Sequence, residues 1–187
     1  VINNLDRVKV GNLFPTVTGG FSTPLGYKDF SLYARFDYAL RHTLYNDLAA
    51  RSLGQYQGSF NIIDMVKDSW SETNQNTDIP KFYYADQLSK KNITRSNNGL
   101  TAVDNNSSRF YEKGDYLALR AITLTWNLPK KWINKALMSN ASVYVTGQNL
   151  FYITGYTGVS PEPAVDTTYG QGLDKGRYPT PKTVLLG

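Results

Sequence analysis

The chain has 187 residues, a net charge of +5, no cysteine and a single histidine, His42. These counts exclude disulfide scaffolds, zinc fingers, iron–sulfur sites and thiol nucleophiles, and they leave no histidine cluster for a metal. No apolar run approaches the roughly 18 residues of a membrane helix, but the short, alternating strands of a membrane β-barrel leave no such trace.

Residues 13–22 read as a strand interrupted at Gly19-Gly20, with a turn over Thr23-Pro24-Leu25-Gly26. Residues 29–41 carry the clearest pattern in the chain. Phe30, Leu32, Ala34, Phe36, Tyr38 and Leu40 fall on one face of a strand; Ser31, Tyr33, Arg35, Asp37, Ala39 and Arg41 fall on the other. A soluble sheet with one wet face alternates in the same way. Length is a further clue, because a tilted membrane strand needs roughly 9–11 residues while soluble strands peak near 5–6; on the residues alone a passive porin-like barrel and a soluble cell-surface carbohydrate-binding β-sandwich stay open as alternatives.

Residues 43–108 form a long polar connection. It holds an expected helix pair, with Asn46 capping Leu48–Leu53 and Asn61 capping Ile62–Trp70. Residues 109–128 read as one long strand. Tyr116, Ala118, Ile122, Leu124, Trp126 and Leu128 share a face, and Arg120 breaks that stripe; a bulge there, or a strand rising above the membrane, accounts for the break. A turn over 129–140 includes a helical turn near Trp132–Leu137. Residues 141–153 are a further strand, with Val143, Val145, Phe151 and Ile153 opposing Tyr144, Thr146, Gln148 and Tyr152. A second long loop covers 154–180, and a last strand starts near Thr183.

Long and short connections therefore alternate along an antiparallel arrangement. All long loops fall on one side and all short turns on the other, which is the asymmetry of outer-membrane barrels. The first residues show neither an initiator methionine nor a signal peptide, and the last lie inside an apolar strand, so the expectation is a piece of a longer chain.

A series of spaced motifs then carries a resemblance. Gly11-Asn12, Pro15, Gly19-Gly20-Phe21 and Tyr27-Lys28-Asp29-Phe30-Ser31-Leu32 come first, followed by Trp70, Asn74 and Pro80. Next are Phe110-Tyr-Glu-Lys-Gly-Asp115-Tyr116-Leu117, the Leu128-Pro129 pair and Val143-Tyr144-Val145-Thr-Gly147-Gln148-Asn149-Leu150-Phe151. Gly155-Tyr156-Thr-Gly158, Pro161-Glu162 and Tyr178-Pro179 complete the series. In this order they resemble the C-terminal β-barrel portion of a SusC/RagA-like TonB-dependent outer-membrane transporter. Ala118, Ala121 and Ser160 depart from the family's usual Arg, Asn and Asp.

The resemblance implies an all-β fold: an antiparallel transmembrane segment of about five strands from a 22-stranded barrel, with long external loops at about 43–108 and 154–180 that contain short helices. Residues 1–187 would be the C-terminal part of that barrel, lacking the plug domain and the last part of the final strand. It further implies energised import of oligosaccharides or peptides across the outer membrane of a Gram-negative bacterium, with a SusD-like surface lipoprotein and TonB as partners. Outer-membrane lipid would cover the apolar face. No cofactor, metal or nucleic acid is expected.

On this reading Tyr33, Arg35, Asp37 and Arg41 face the lumen. Arg35 and Asp37, two apart on one face, suit a local salt bridge or a contact with plug or cargo. Trp70, Tyr83, Tyr84, Tyr156 and Tyr169 lie in external loops, where aromatic rings can stack on sugars or anchor a protein interface. Lys130, Lys131 and Lys135 read as a solvated basic turn, since nucleic-acid recognition wants a patch within a recognisable module. No enzyme is expected: Asp64 and Asp68 are helix neighbours rather than carboxylates converging across a cleft. Glu162, Asp166 and Asp174 could offer oxygens to calcium but follow no EF-hand spacing.

Overall fold

The computed structural model describes residues 8–52, 64–79, 81, 108–136, 138–162, 172–176 and 178–187. In chain order the elements are β1 (Val17–Tyr27), β2 (Phe30–Leu40), β3 (Thr43–Asn46), α1 (Asp47–Ser52), β4 (Tyr111–Lys113), β5 (Tyr116–Asn127), α2 (Lys130–Ile133), β6 (Ser142–Thr154), β7 (Leu173–Asp174) and β8 (Thr183–Leu186). They divide between two units. One comprises Pro15–His42, Gly114–Gly155 and Tyr178–Gly187; the other comprises Val1–Phe14, Thr43–Lys113 and Tyr156–Arg177.

The first unit is a five-stranded antiparallel sheet in the order β1-β2-β5-β6-β8. Strands β1, β2, β5 and β6 run 11, 11, 12 and 13 residues, the span of membrane strands rather than of soluble ones. Two connections are short and join strands at one end of the sheet, where Tyr27, Phe30, Trp126 and Val143 stand in register. The two long ones leave and return at the opposite end, beside Leu40, Tyr116 and Thr154. The alternation expected from sequence is therefore present.

Two strand boundaries and one strand's facing differ from expectation. Strand β1 runs through Thr23–Gly26 and turns only at Lys28-Asp29, where Lys28 takes a positive φ of 53°. The apolar cross-strand pairs Leu25/Leu32 and Tyr27/Phe30 carry the pairing to that point. Pro24 is tolerated because β1 is an edge of this sheet. The expected strand over 109–128 is in fact a 3-10 turn at Ser108–Phe110, then β4, a break at Gly114-Asp115, and β5. The break is held on both sides: Gly114 N donates to the His42 carbonyl (2.9 Å), and Asp115 Oδ1 accepts from Arg41 N (2.6 Å). Gly114 is required there, because a Cβ would lie 2.3 Å from His42 Nε2.

The third difference sets the faces of β5. Arg35 pairs with Ala121 but Phe36 pairs with Leu119, so Arg120 is an extra residue against β2. Against β6 the register steps between Leu119/Phe151 and Ala121/Gln148, with Asn149 at a positive φ of 51°. A bulge shifts the side-chain phase by one, since strand side chains alternate with period two. Leu117 and Leu119 consequently join Ile122, Leu124 and Trp126 on the apolar face. Tyr116 and Ala118, expected there, fall on the polar face beside Ala39 and Asp37.

The second unit holds a three-stranded sheet, β4-β3-β7, with β3 antiparallel to β4 and parallel to β7. Tyr45, Ala50, Val66 and Phe110 form its core, packed by Ala49, Ile79, Tyr111 and Leu173. Asn46 caps α1 as expected, its Oδ1 accepting from Ala49 N at 3.0 Å. The expected helix over 62–70 is a 3-10 turn at Asp64–Asp68, which buries Val66; Asn61 and Ile62 lie outside the described residues.

Candidate functional site

The five-stranded sheet has two chemically different faces. Across the cross-strand pairs, one face carries Val17, Phe21, Leu25 and Tyr27 of β1, and Phe30, Leu32, Phe36, Tyr38 and Leu40 of β2. It continues through Leu117, Leu119, Ile122, Leu124 and Trp126 of β5, Val143, Val145, Phe151 and Ile153 of β6, and Val184 and Leu186 of β8. No charged side chain interrupts it. Most of its side chains are exposed or partly so, Leu119 being buried among its neighbours: Phe21 is 52% exposed, Leu124 45% and Ile153 61%. A soluble sandwich would bury such a face; a strand facing hydrocarbon must present it. Phe21 and Phe36 stack at 4.9 Å between ring centroids, and Phe30 stacks on Trp126 at 6.0 Å.

The opposite face is polar, and its centre is an ion-pair group built across three strands. Asp37 is the hub. Arg120 Nε donates to its Oδ2 at 3.0 Å, and Arg35 Nε lies 3.6 Å from its Oδ1. Arg120 Nη1 also donates to the Tyr152 hydroxyl at 3.3 Å, with the guanidinium 5.8 Å from the centre of that ring. Tyr152 in turn meets Tyr116 edge-on at 5.8 Å. The bulge is what lets Arg120 reach this face.

Opposite Asp37 stands Gly20, where a Cβ would come within 2.9 Å of Oδ1. The missing side chain leaves a recess lined by Gly19, Gly20, Ser22, Tyr33, Arg35 and Asp37. Two guanidiniums against one carboxylate give the group a surplus positive charge, and Arg35 is its accessible member, with 58% of its side chain exposed. The arrangement suits holding a carboxylate or a row of hydrogen-bond acceptors.

Tyr33, Arg35 and Asp37 thus share one face and one recess. Arg41 does not join them: it follows the end of β2 in a left-handed conformation (φ 62°). Sequence reasoning flagged Arg120 as a break in a stripe, with a bulge as one account of it, and read Tyr152 as a girdle aromatic near a strand end rather than as a partner of Arg120. The break was the signal, since an arginine out of phase in a long strand marks a bulge.

In the second unit Tyr156 is buried, and its hydroxyl donates to Asp174 Oδ2 at 2.7 Å. Burial, reinforced by the neighbouring Asp174 carboxylate, pushes its phenol above the ordinary tyrosine range. Asp174 Oδ1 accepts from Gly176 N at 2.8 Å. Close by in sequence, Thr157 donates its N–H to Glu112 Oε2 (2.9 Å) and its hydroxyl to the same carboxylate, while Asn46 Nδ2 donates to Oε1 at 3.0 Å. Tyr156 and Asp174 are therefore framework, with Tyr156 removed from any contact surface. Trp70 is partly exposed, with Lys81 Nζ 5.7 Å from its ring centre. Asp64 pairs with Lys67 on an open surface. Tyr83, Tyr84, Tyr169 and Asp166 lie outside the described residues.

Comparison with known proteins gives a consistent pattern, although no family model matches. The whole chain aligns with TonB-dependent receptor P3 of Formosa agariphila at 30% identity over 192 residues, and with TonB-dependent receptor P26 of the same organism at 29% over 194. It spans 17% and 18% of the length of those two relatives. Among solved structures, 90% of the chain superposes on the RagAB peptide transporter with a TM-score of 0.64 at 26% identity. For the RagAB peptide importer in its closed-closed state the coverage is 93%, the TM-score 0.65 and the identity 25%. The chain covers 16% and 17% of those two.

Proposed function

We propose that this chain, which belongs to the TonB-dependent receptors and is a segment of their transmembrane β-barrel, serves as barrel wall and external loop in an energised outer-membrane importer of nutrient oligomers. The observation that carries the reading is the pairing of faces. One is continuous, apolar and uncovered; the other is polar and holds the Arg35–Asp37–Arg120 group. Lipid on one side and a water-filled or plugged lumen on the other would require that division.

In this reading the segment lies near the C-terminal end of the barrel, and Tyr33, Arg35 and Asp37 line the lumen. The cargo would be a peptide or an oligosaccharide, with a SusD-like surface lipoprotein over the external loops and TonB supplying the energy. A peptide cargo is favoured by the likeness to the RagAB peptide transporter. The protein would reside in the outer membrane and perform no covalent chemistry; its work would be capture and passage.

The test is uptake by cells carrying the intact receptor. Labelled oligopeptides and oligosaccharides should enter only when the receptor is present, and entry should stop when TonB is deleted. Uptake that persists without TonB would mean a passive pore instead. Purification of the intact receptor should bring a surface lipoprotein with it.

A further inference from the structure

We infer that the short-turn end of the five-stranded sheet is a docking surface for anionic phospholipid headgroups. The inference rests on the reading of the sheet as a membrane wall and adds to it a lipid preference.

Two turns meet at this end. Lys28 and Asp29 join β1 to β2, and the segment from Leu128 to Ala141 joins β5 to β6. Asn127 N, at the entry to the second turn, donates to the Asp29 carbonyl of the first at 2.8 Å, and the second turn is closed on itself by Leu128 N donating to the Ala141 carbonyl at 2.9 Å. Helix α2 lies across the second turn with Ile133 buried (3% exposed) and Trp132 turned outward (58% exposed). Trp132 continues the aromatic row of the apolar face: it meets Trp126 edge-on at 5.9 Å, and Trp126 stacks on Phe30. Tyr27 closes the row on β1 at 71% exposure, with Lys28 Nζ 5.3 Å from its ring centre.

Around these rings stand four exposed lysines, Lys28, Lys130, Lys131 and Lys135, against one acid, Asp29. Among the described residues none of the four is ion-paired. Aromatic rings at the rim of an apolar band sit at headgroup depth. Lysine stems can lie along the apolar rim while their ammonium groups reach outward. The anions within their reach are then the phosphates of the adjacent leaflet, because the lysines border a lipid-covered face rather than an open aqueous one. Each lysine near an anionic surface strengthens binding by roughly fivefold. The solvated basic turn read from sequence is, on this geometry, a headgroup contact.

The intact receptor would be reconstituted into nanodiscs of phosphatidylcholine with a minor share of phosphatidylglycerol, and the lipids co-isolated with it counted by native mass spectrometry. Phosphatidylglycerol should be enriched over its share of the mixture. The triple variant K130Q/K131Q/K135Q should lose at least roughly fivefold of that enrichment, while K130R/K131R/K135R should retain it. Equal retention of both lipids by the wild type, or an unchanged preference in the glutamine variant, would overturn the inference. So would a glutamine variant that keeps its lipid preference but loses binding to an acidic periplasmic protein, which would assign the lysines to a protein partner. A receptor that fails to enter nanodiscs of either composition would instead refute the membrane-wall reading beneath it.

Discussion

Arg120 donates to Asp37 Oδ2 at 3.0 Å from a position that the pairing of β5 with β2 skips. One inserted residue thus does two things. It places a cation on the polar face, and it switches the phase of everything before it in β5. If Arg120 is the extra residue, deleting it should be tolerated about as well as truncating it, because every β2–β5 pair survives. Deletion would join Leu119 directly to Ala121, so plain alternation would keep Leu117 and Leu119 on the apolar face and Tyr116 and Ala118 on the polar one, and the barrel should still assemble. Arg120→Ala should assemble and lose only about 1 kcal/mol, given the partial exposure of the pair. Heat-modifiable migration of the intact receptor on gels reports assembly for both.

The two faces of β2 should also tolerate charge differently. Phe36 lies on the apolar face and stacks on Phe21. Phe36→Arg should cost about 2–4 kcal/mol near mid-membrane and block assembly. Arg35→Ala, one residue away, should leave assembly intact. Equal tolerance at the two positions, in the same gel assay, would reverse the facing assignment.

The Tyr156–Asp174 bond makes a pH prediction. The neutral phenol is favoured in the folded unit, so its contribution is complete below the ordinary tyrosine pKa of about 10 and declines as pH rises above it. In an alkaline titration, the tyrosinate absorbance of wild type minus Tyr156→Phe should show no ionisation near pH 10. An ordinary midpoint there would contradict the buried bond. Tyr156→Phe also leaves Asp174 Oδ2 without this donor and should cost the unit about 1–3 kcal/mol, read as faster proteolysis within that unit.

A backbone site gives a sharper steric test. At Gly158 a Cβ would lie 2.4 Å from the Tyr156 ring. Gly158→Ala should therefore reproduce the protease sensitivity of Tyr156→Phe while leaving barrel assembly unchanged. Normal protease resistance in Gly158→Ala would mean that Tyr156 packs elsewhere.

The wall was largely legible in the sequence because its signal is local. Period two in β2 and β6, the cap at Asn46 and the last strand at Thr183 all follow from neighbouring residues. Two things were not local. The β1 turn fell at Lys28 because cross-strand partners, not Pro24 and Gly26, decide where pairing stops. The sheet β4-β3-β7 joins segments more than a hundred residues apart, such as Tyr45 and Leu173, and two- to four-residue strands carry too little alternation to be seen. Tyr156 had the composition of a contact residue, but its burial depends on Asp174, a partner that spacing alone does not reveal.

The most direct test of the account is the environment of β5, residue by residue. The segment has no cysteine of its own, so single cysteines at positions 117–119 and 121–124 of the intact receptor can carry nitroxide labels. Collision with oxygen reports lipid, and collision with a water-soluble nickel chelate reports an aqueous face. The account predicts oxygen access at Leu117, Leu119, Ile122 and Leu124, and aqueous access at Ala118, Ala121 and Thr123, with the phase changing across Arg120. Unbroken alternation from 117 to 124, or the same environment at every position, would contradict it.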